Sequence, residues 1–419
     1  MSPGPQVILC AVDGASVPSF DIECRVPAVI ATDSPPHLYG LLPEDLVAQC
    51  AARGVECSIT EARRILGHVI SNGKPGLAIT RSPRRAVTKL IEEAFVRTPL
   101  EVVERVQDEF DGFVKFLLKH PDGSLTEAVR IPLEKKGRFT VCLSSQVGCA
   151  MRCVFCATGR LGLQRSLAAW EMVAALIAVR EDIALDPTLD ALREEGVALR
   201  ITGVVFQGQG EPFHNYDEVI QAAKVLSEPC GGRITQEAIT ISTVGLVPQI
   251  ERYGREGHPY RLIVSLTSAV ESKRKKLLPV AGNFALSELV RVLRAYQHTL
   301  GKRVTLAWVL MKDINHTDDE VAALQAAFEG LPIRVNLIDV NDATGEFDVV
   351  EDAERIAFVG KLQAAGFATQ RRYSGGKNKH AACGMLAATH LSEPGGAAHP
   401  SAAHAGPHLP STDAAQGTA

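Results

Sequence analysis

Between residues 41 and 97 the apolar positions recur three or four apart, in Pro43 to Arg53, Thr60 to Ser71 and Pro83 to Phe95. That period belongs to helices with one buried face, and it predicts a small helical domain over 41–110. The pattern then changes. Gly112 to Lys119 and Ser124 to Ile131 flank the turn sequence His120-Pro121-Asp122-Gly123 and predict a β-hairpin leading into the next domain. From Phe139 onward, Val/Ile/Leu-rich runs alternate with longer amphipathic stretches. Strands are predicted at 139–145, 200–208, 238–243, 261–266, 303–311 and 333–340, with helices near 167–182, 216–227, 247–254, 286–299, 318–329 and 351–365. Continuous apolar strands interleaved with helices describe a parallel sheet covered on the outside. Six such units fall short of the eight that close a barrel, so the pattern predicts an α/β core over 111–387, a partial (β/α)6 barrel with its chemistry at the C-terminal strand ends.

The two ends of the chain break this pattern. Residues 388–419 turn to Pro, Gly, Ala, Ser and His, which cannot build a core, and are expected to be a disordered tail. Residues 1–40 form an extension to which the pattern assigns no role.

Composition narrows the class. With 419 residues and 46% hydrophobic content, the chain can bury a full core. The opening residues lack the basic and apolar regions of an export signal, and no window approaches the roughly 18 uninterrupted apolar residues of a membrane span. A cytoplasmic protein without membrane attachment is expected. Ten cysteines in such a chain point to thiols, metal ligands or catalysis rather than structural disulfides. The net charge of −4 provides no global attraction to nucleic acid. Any RNA binding must use local clusters such as Lys273-Arg274-Lys275-Lys276 or Arg371-Arg372, which taken alone read more readily as solvated faces.

The cysteine spacing is more informative. Cys149, Cys153 and Cys156 follow the first core strand in a loop that also contains Gly148, Gly159 and Gly162. Three neighbouring thiolates suit iron–sulfur clusters or zinc, and no second Cys-x-x-Cys completes a zinc ribbon. This loop, placed after the first strand of a βα series, resembles that of the radical S-adenosylmethionine superfamily. The resemblance implies a 4Fe-4S cluster on the three cysteines, with one open iron chelated by S-adenosylmethionine. Gly208-Gln209-Gly210-Glu211-Pro212 ends the second core strand. It reads either as a tight turn or as a cofactor contact, in which Gly210 admits the ligand and Glu211 receives its ammonium group. Ser242, Ser265 and Asn341, also at strand ends, are similarly placed for ribose or carboxylate groups.

Further stretches narrow the resemblance. They are DGFVKFLL at 111–118, EAVRIP at 127–132, CLSSQVGCAMRCVFCATG at 142–159, GQGEPFHN at 208–215, STVGLVP at 242–248 and AACGML at 381–386. In this order they resemble the RlmN/Cfr family of RNA adenine methyltransferases over about residues 110 to 387. The resemblance implies that Cys383 is first methylated by one S-adenosylmethionine. A radical from a second cofactor then activates the S-methyl group for addition to an adenine ring carbon. It also implies that Cys142 resolves the adduct through a transient disulfide with Cys383, and that Glu127 is the proton acceptor. The implied substrate is ribosomal and/or transfer RNA, modified at carbon 2 in preference to carbon 8. An electron donor such as a flavodoxin-type reductant is the other expected partner, and the chain is expected to be a monomer.

The chain departs from the family pattern at several points. Ser265-Leu266-Thr267 stands where Ser-Leu-His is usual, and these three positions are the expected cofactor contacts of that strand end. Lys377-Asn378-Lys379-His380 replaces acidic residues before the terminal Ala-Ala-Cys, and Asp339-Val340-Asn341 replaces Pro-Trp-Asn. Two rival readings remain open at this level, namely a family member with another RNA target or ring position, and a noncatalytic iron–sulfur RNA-binding protein.

Overall fold

The computed structural model describes residues 35–79, 82–342, 345–373, 375, 376, 382 and 384–386. Most of the N-terminal extension, the whole tail after residue 387, the basic run Lys377–His380 and Cys383 lie outside them.

One sheet of ten strands organises the described residues, in the order β1-β2-β3-β4-β7-β8-β9-β10-β11-β12. Its first part is antiparallel: β1 (Glu101–Gln107), β2 (Val114–Lys119), β3 (Leu125–Pro132) and β4 (Arg138–Leu143). The expected hairpin is β2–β3, and β1 extends it to three strands ahead of β4. From β4 the sheet continues in parallel through β7 (Arg200–Phe206), β8 (Ile239–Thr243), β9 (Arg261–Ser265), β10 (Val304–Leu310) and β11 (Ile333–Asp339). Helices intervene at Ala169–Leu185, Tyr216–Ser227, Val247–Glu256, Leu286–Leu300, Asp318–Phe328 and Asp352–Ala364. These are the six expected units. A short parallel strand, β12 (Ala368–Arg371), follows the sixth helix and was not expected from the sequence. β5 (Gln146–Gly148) and β6 (Leu163–Ser166) form a separate two-stranded ribbon.

The N-terminal helices pack onto the barrel instead of standing apart from it. Pro43–Ala51 and Ile59–Leu66, the latter running into a π turn at Gly67–Ser71, share one continuous core with the sheet and its helices. His37 stacks flat on Trp170 with ring centroids 4.2 Å apart, and its Nε2 lies 3.0 Å from the Thr98 carbonyl. Arg180 of the Ala169–Leu185 helix donates to the carbonyls of Ile70, Ser71 and Gly232. That helix is apolar nearly all round, as a helix sandwiched between sheet and helices must be. No described helix is long and apolar enough to cross a membrane.

Candidate active site

The β5–β6 ribbon carries the cysteine loop. Cys149 N donates to the Gly162 carbonyl at 2.9 Å, closing the loop where it leaves and re-enters the ribbon. Gly148 makes this closure possible: its φ is +75°, and a Cβ there would lie 1.9 Å from the Gly162 oxygen. Within the loop Arg152 adopts φ +52°, Cys156 N donates to the Cys153 carbonyl at 3.1 Å, and a Cβ on Gly159 would press on the Cys153 backbone at about 3.0 Å. The chain is thereby wound so that Cys149, Cys153 and Cys156 all line one cavity.

That cavity lies at the C-terminal ends of the parallel strands and is also lined by Gly210, Glu211, Ser242, Ser265 and Asn341. Eight of the expected site residues therefore meet around one space. Burial pushes the Cys149 thiol up to about 12 and raises the Cys153 thiol well above its ordinary value, and the neighbouring sulfurs add to both shifts. Thiolates are thus costly here until a cationic centre binds them. No His, Cys, Asp or Glu groups among the described residues are gathered for a single metal ion. Three thiols spread around one cavity fit a polynuclear iron–sulfur centre better than a tetrahedral zinc ion.

Glu211 is held by neutral donors: Phe213 N to Oε1 at 2.9 Å and Val244 N to Oε2 at 2.8 Å, with the Thr243 hydroxyl adding a side-chain bond. No cation pairs with it among the described residues. Burial raises its pKa to about 7 against the pull of those donors. Gly210, at φ +99°, brings the turn so close to Gln146 that a Cβ would collide with its backbone and side chain at 2.6–2.8 Å. Gln146 Oε1 in turn accepts from Glu211 N at 2.9 Å. A buried carboxylate fixed by neutral donors and facing three thiols is suited to receive a ligand ammonium group.

Glu127 and Cys142 lie behind this cavity wall, not in it. Register places Leu117 beside Glu127, Lys115 beside Val129, Val129 beside Cys142 and Cys142 beside Val205, so all share one face of the sheet. A glutamate in a hairpin strand would ordinarily face solvent. Glu127 is instead fully buried, 2.8 Å from Lys115 Nζ, with Gln209 Nε2 donating to its other oxygen at 3.3 Å. Cys142 packs with Phe113, Val129, Val205 and Leu386. Leu386 also lines the cavity, as does Gly384. This segment is pinned to the cysteine loop by Ala157 N donating to the Gly384 carbonyl at 2.8 Å and the Thr158 hydroxyl donating to the Leu386 carbonyl at 2.6 Å. Cys383, and with it the expected pairing to Cys142, lies outside the described residues.

Leu266 and Thr267 do not reach the cavity. Both are completely buried; Thr267 sits at φ +62°, and its carbonyl accepts from Asn315 Nδ2 at 2.7 Å. The strand turns away one residue after Ser265, so of the Ser-Leu-Thr triplet only the serine faces the site. Lys115 and Gln209 were missed by sequence reasoning. An isolated lysine in a hairpin gives no signal until the strand register is known, whereas Gln209 lay inside a motif already singled out.

Residues 143–324 match the Radical SAM superfamily. A protein named "Probable RNA methyltransferase" from Anaeromyxobacter sp. (strain Fw109-5) is 48% identical over 350 residues, covering 83% of this chain and 98% of its own length. The dual-specificity RNA methyltransferase RlmN of Syntrophobacter fumaroxidans is 36% identical, covering 78% and 91%. Among solved structures, a radical SAM methyltransferase from Sphaerobacter thermophilus superposes with a TM-score of 0.74 at 35% identity, over 85% of this chain and all of the other.

Proposed function

The chain belongs to the RlmN-type RNA methyltransferases of the radical SAM superfamily, and from that premise we propose that it methylates carbon 2 of an adenine in ribosomal or transfer RNA through an S-methylcysteine on Cys383. The observation that carries this reading is the single cavity lined by three cysteine thiols and the unpaired carboxylate of Glu211, and also by Gly384 and Leu386, which follow Cys383 in the chain. When bound, the 4Fe-4S cluster and S-adenosylmethionine supply a carbon-centred radical.

The chain's own residues do the rest. Cys149, Cys153 and Cys156 hold the cluster as thiolates. Glu211 binds the ammonium group of S-adenosylmethionine, and Gly210, Ser242, Ser265 and Asn341 orient its remaining polar groups. Cys383 carries the methyl group that is transferred. Cys142 attacks the Cys383 sulfur to free the modified base, leaving a disulfide that the reducing cytoplasm resets. Glu127, 2.8 Å from Lys115 Nζ, takes the proton lost from the ring carbon. The electron needed to start each turnover comes from a flavodoxin-type donor.

The test is anaerobic reconstitution with iron and sulfide, followed by incubation with S-adenosylmethionine, reductant and unmodified total RNA, and mass spectrometry of the nucleosides. 2-Methyladenosine that disappears with Cys383→Ala is the expected result. 8-Methyladenosine would move the ring position. No methylated adenine, despite a formed cluster and cofactor cleavage, would overturn the proposal.

A further inference from the structure

The face of the parallel sheet that bears the site continues below it, toward the N-terminal strand ends. There the register aligns Thr240 with Arg261, and Thr305 with both Ile263 and Arg334. These residues line a second cavity of about 1050 Å³, well apart from the cysteine loop. A closed barrel of this class packs that layer with branched apolar side chains. Here the layer is hollow, and Thr240, Thr305, Asn336 and several cationic side chains stand among its apolar residues.

Its charge is one-sided. Arg261, Arg303 and Arg334 line the space, and among the described residues none of the three makes a hydrogen bond or an ion pair. Lys302 also lines it, its ammonium group fixed by the carbonyls of His258, Pro259 and Tyr260, and so does Arg372, just after β12, which donates to Gln207 Oε1. Glu237 is the one acidic residue on the wall. Other arginines of this chain are paired: Arg105 and Arg130 with Asp182 and Asp186, and Arg165 with Asp122 and Glu171. Uncompensated cations around a shared space repel one another and gain most from an anion placed between them.

We propose that this lumen is a phosphate-binding site, taking the phosphate groups of a free nucleotide or polyphosphate or those of an RNA backbone. Guanidinium forks match phosphate oxygens two at a time, and Arg261, Arg303 and Arg334, at the starts of three neighbouring strands, line a space large enough for several phosphates. Gln207, which holds Arg372, also lines the upper cavity, so an anion drawing Arg372 inward acts on a residue of the methylation site itself.

The experiment is calorimetric titration of the full-length, cluster-loaded protein with sodium tripolyphosphate and, separately, with a short single-stranded RNA, at low and moderate salt. The comparison is the double variant Arg261→Gln/Arg334→Gln. Both side chains are exposed to the lumen, and an unchanged thermal midpoint checks that the variant is folded. Wild type is expected to bind tripolyphosphate saturably with an affinity that falls with salt, and the variant at least about tenfold more weakly. Displacement of RNA by tripolyphosphate would identify the RNA backbone as the source; binding without displacement would identify a free anion. Equal affinity in the variant, or no saturable binding up to ~10 mM, overturns the proposal. Heat of binding does not depend on methylation, so this outcome is separate from that of the RNA assay.

Discussion

Two buried glutamates flank the cofactor cavity, and they are neutralised in opposite ways. Glu127, on the antiparallel wall, carries its counter-ion with it as Lys115, an ion pair sealed between two strands. Glu211, on the parallel wall, has backbone N–H groups and a hydroxyl but no cation, and its pKa stands near 7 as a result. A carboxylate paired internally has its counter-ion supplied by the fold. One left unpaired in a cavity holds a place for a cation that arrives from outside.

The largest effect removes what both walls face. Cys153→Ala is expected to abolish iron loading, read by the loss of the cluster's visible absorbance, and to bring RNA methylation to background. Next, Glu211→Gln should weaken S-adenosylmethionine binding by about 10- to 100-fold, the worth of one charge-assisted contact. Glu127→Gln should leave that affinity within about twofold while lowering methylation. Equal losses of affinity in the two variants would erase the distinction between the walls.

The same contrast predicts a pH dependence. An ammonium ligand needs Glu211 ionised, so its affinity should be level above about pH 7 and fall about tenfold per unit below it, a slope absent in Glu211→Gln. For the ligand-free fold the sign reverses. Glu211 ionises less readily in the fold than in the unfolded chain, so its contribution to stability is full below about pH 4.5 and is lost as pH rises through about 7.

A smaller effect, read by denaturation, concerns the other wall. Lys115→Met strands a buried charge and should cost about 3–5 kcal/mol, while Lys115→Met/Glu127→Met should recover most of it.

The parallel strands were legible because strands buried on both faces must be apolar throughout, as in the Val/Ile-rich β7 and β10. The cysteine loop and the strand-end Gly-x-Gly-Glu were legible because their spacing reflects local geometry. β1, Glu-Val-Val-Glu-Arg-Val-Gln, was not: it is half-exposed and charged, and its place comes from pairing with β2. β12 is a short polar edge strand fixed in the same way by β11. The Lys115–Glu127 pair was hidden because it depends on the register of two strands, which no single stretch encodes. Of the Ser265-Leu266-Thr267 triplet, Ser265 lines the cavity and the next two residues are buried, a split set by where the strand ends and not by the residue types.

The ribbon of β5 and β6 clamps the cysteine loop at both ends, through the Cys149–Gly162 hydrogen bond and the Gly148 turn. Closing a flexible loop of that length costs about 2 kcal/mol in lost chain freedom, and here the cost is met by folding and not by metal binding. The protein can therefore be built first and loaded later. On the proposed function, a cluster lost to oxygen would be replaceable in the same molecule, without unfolding of the chain.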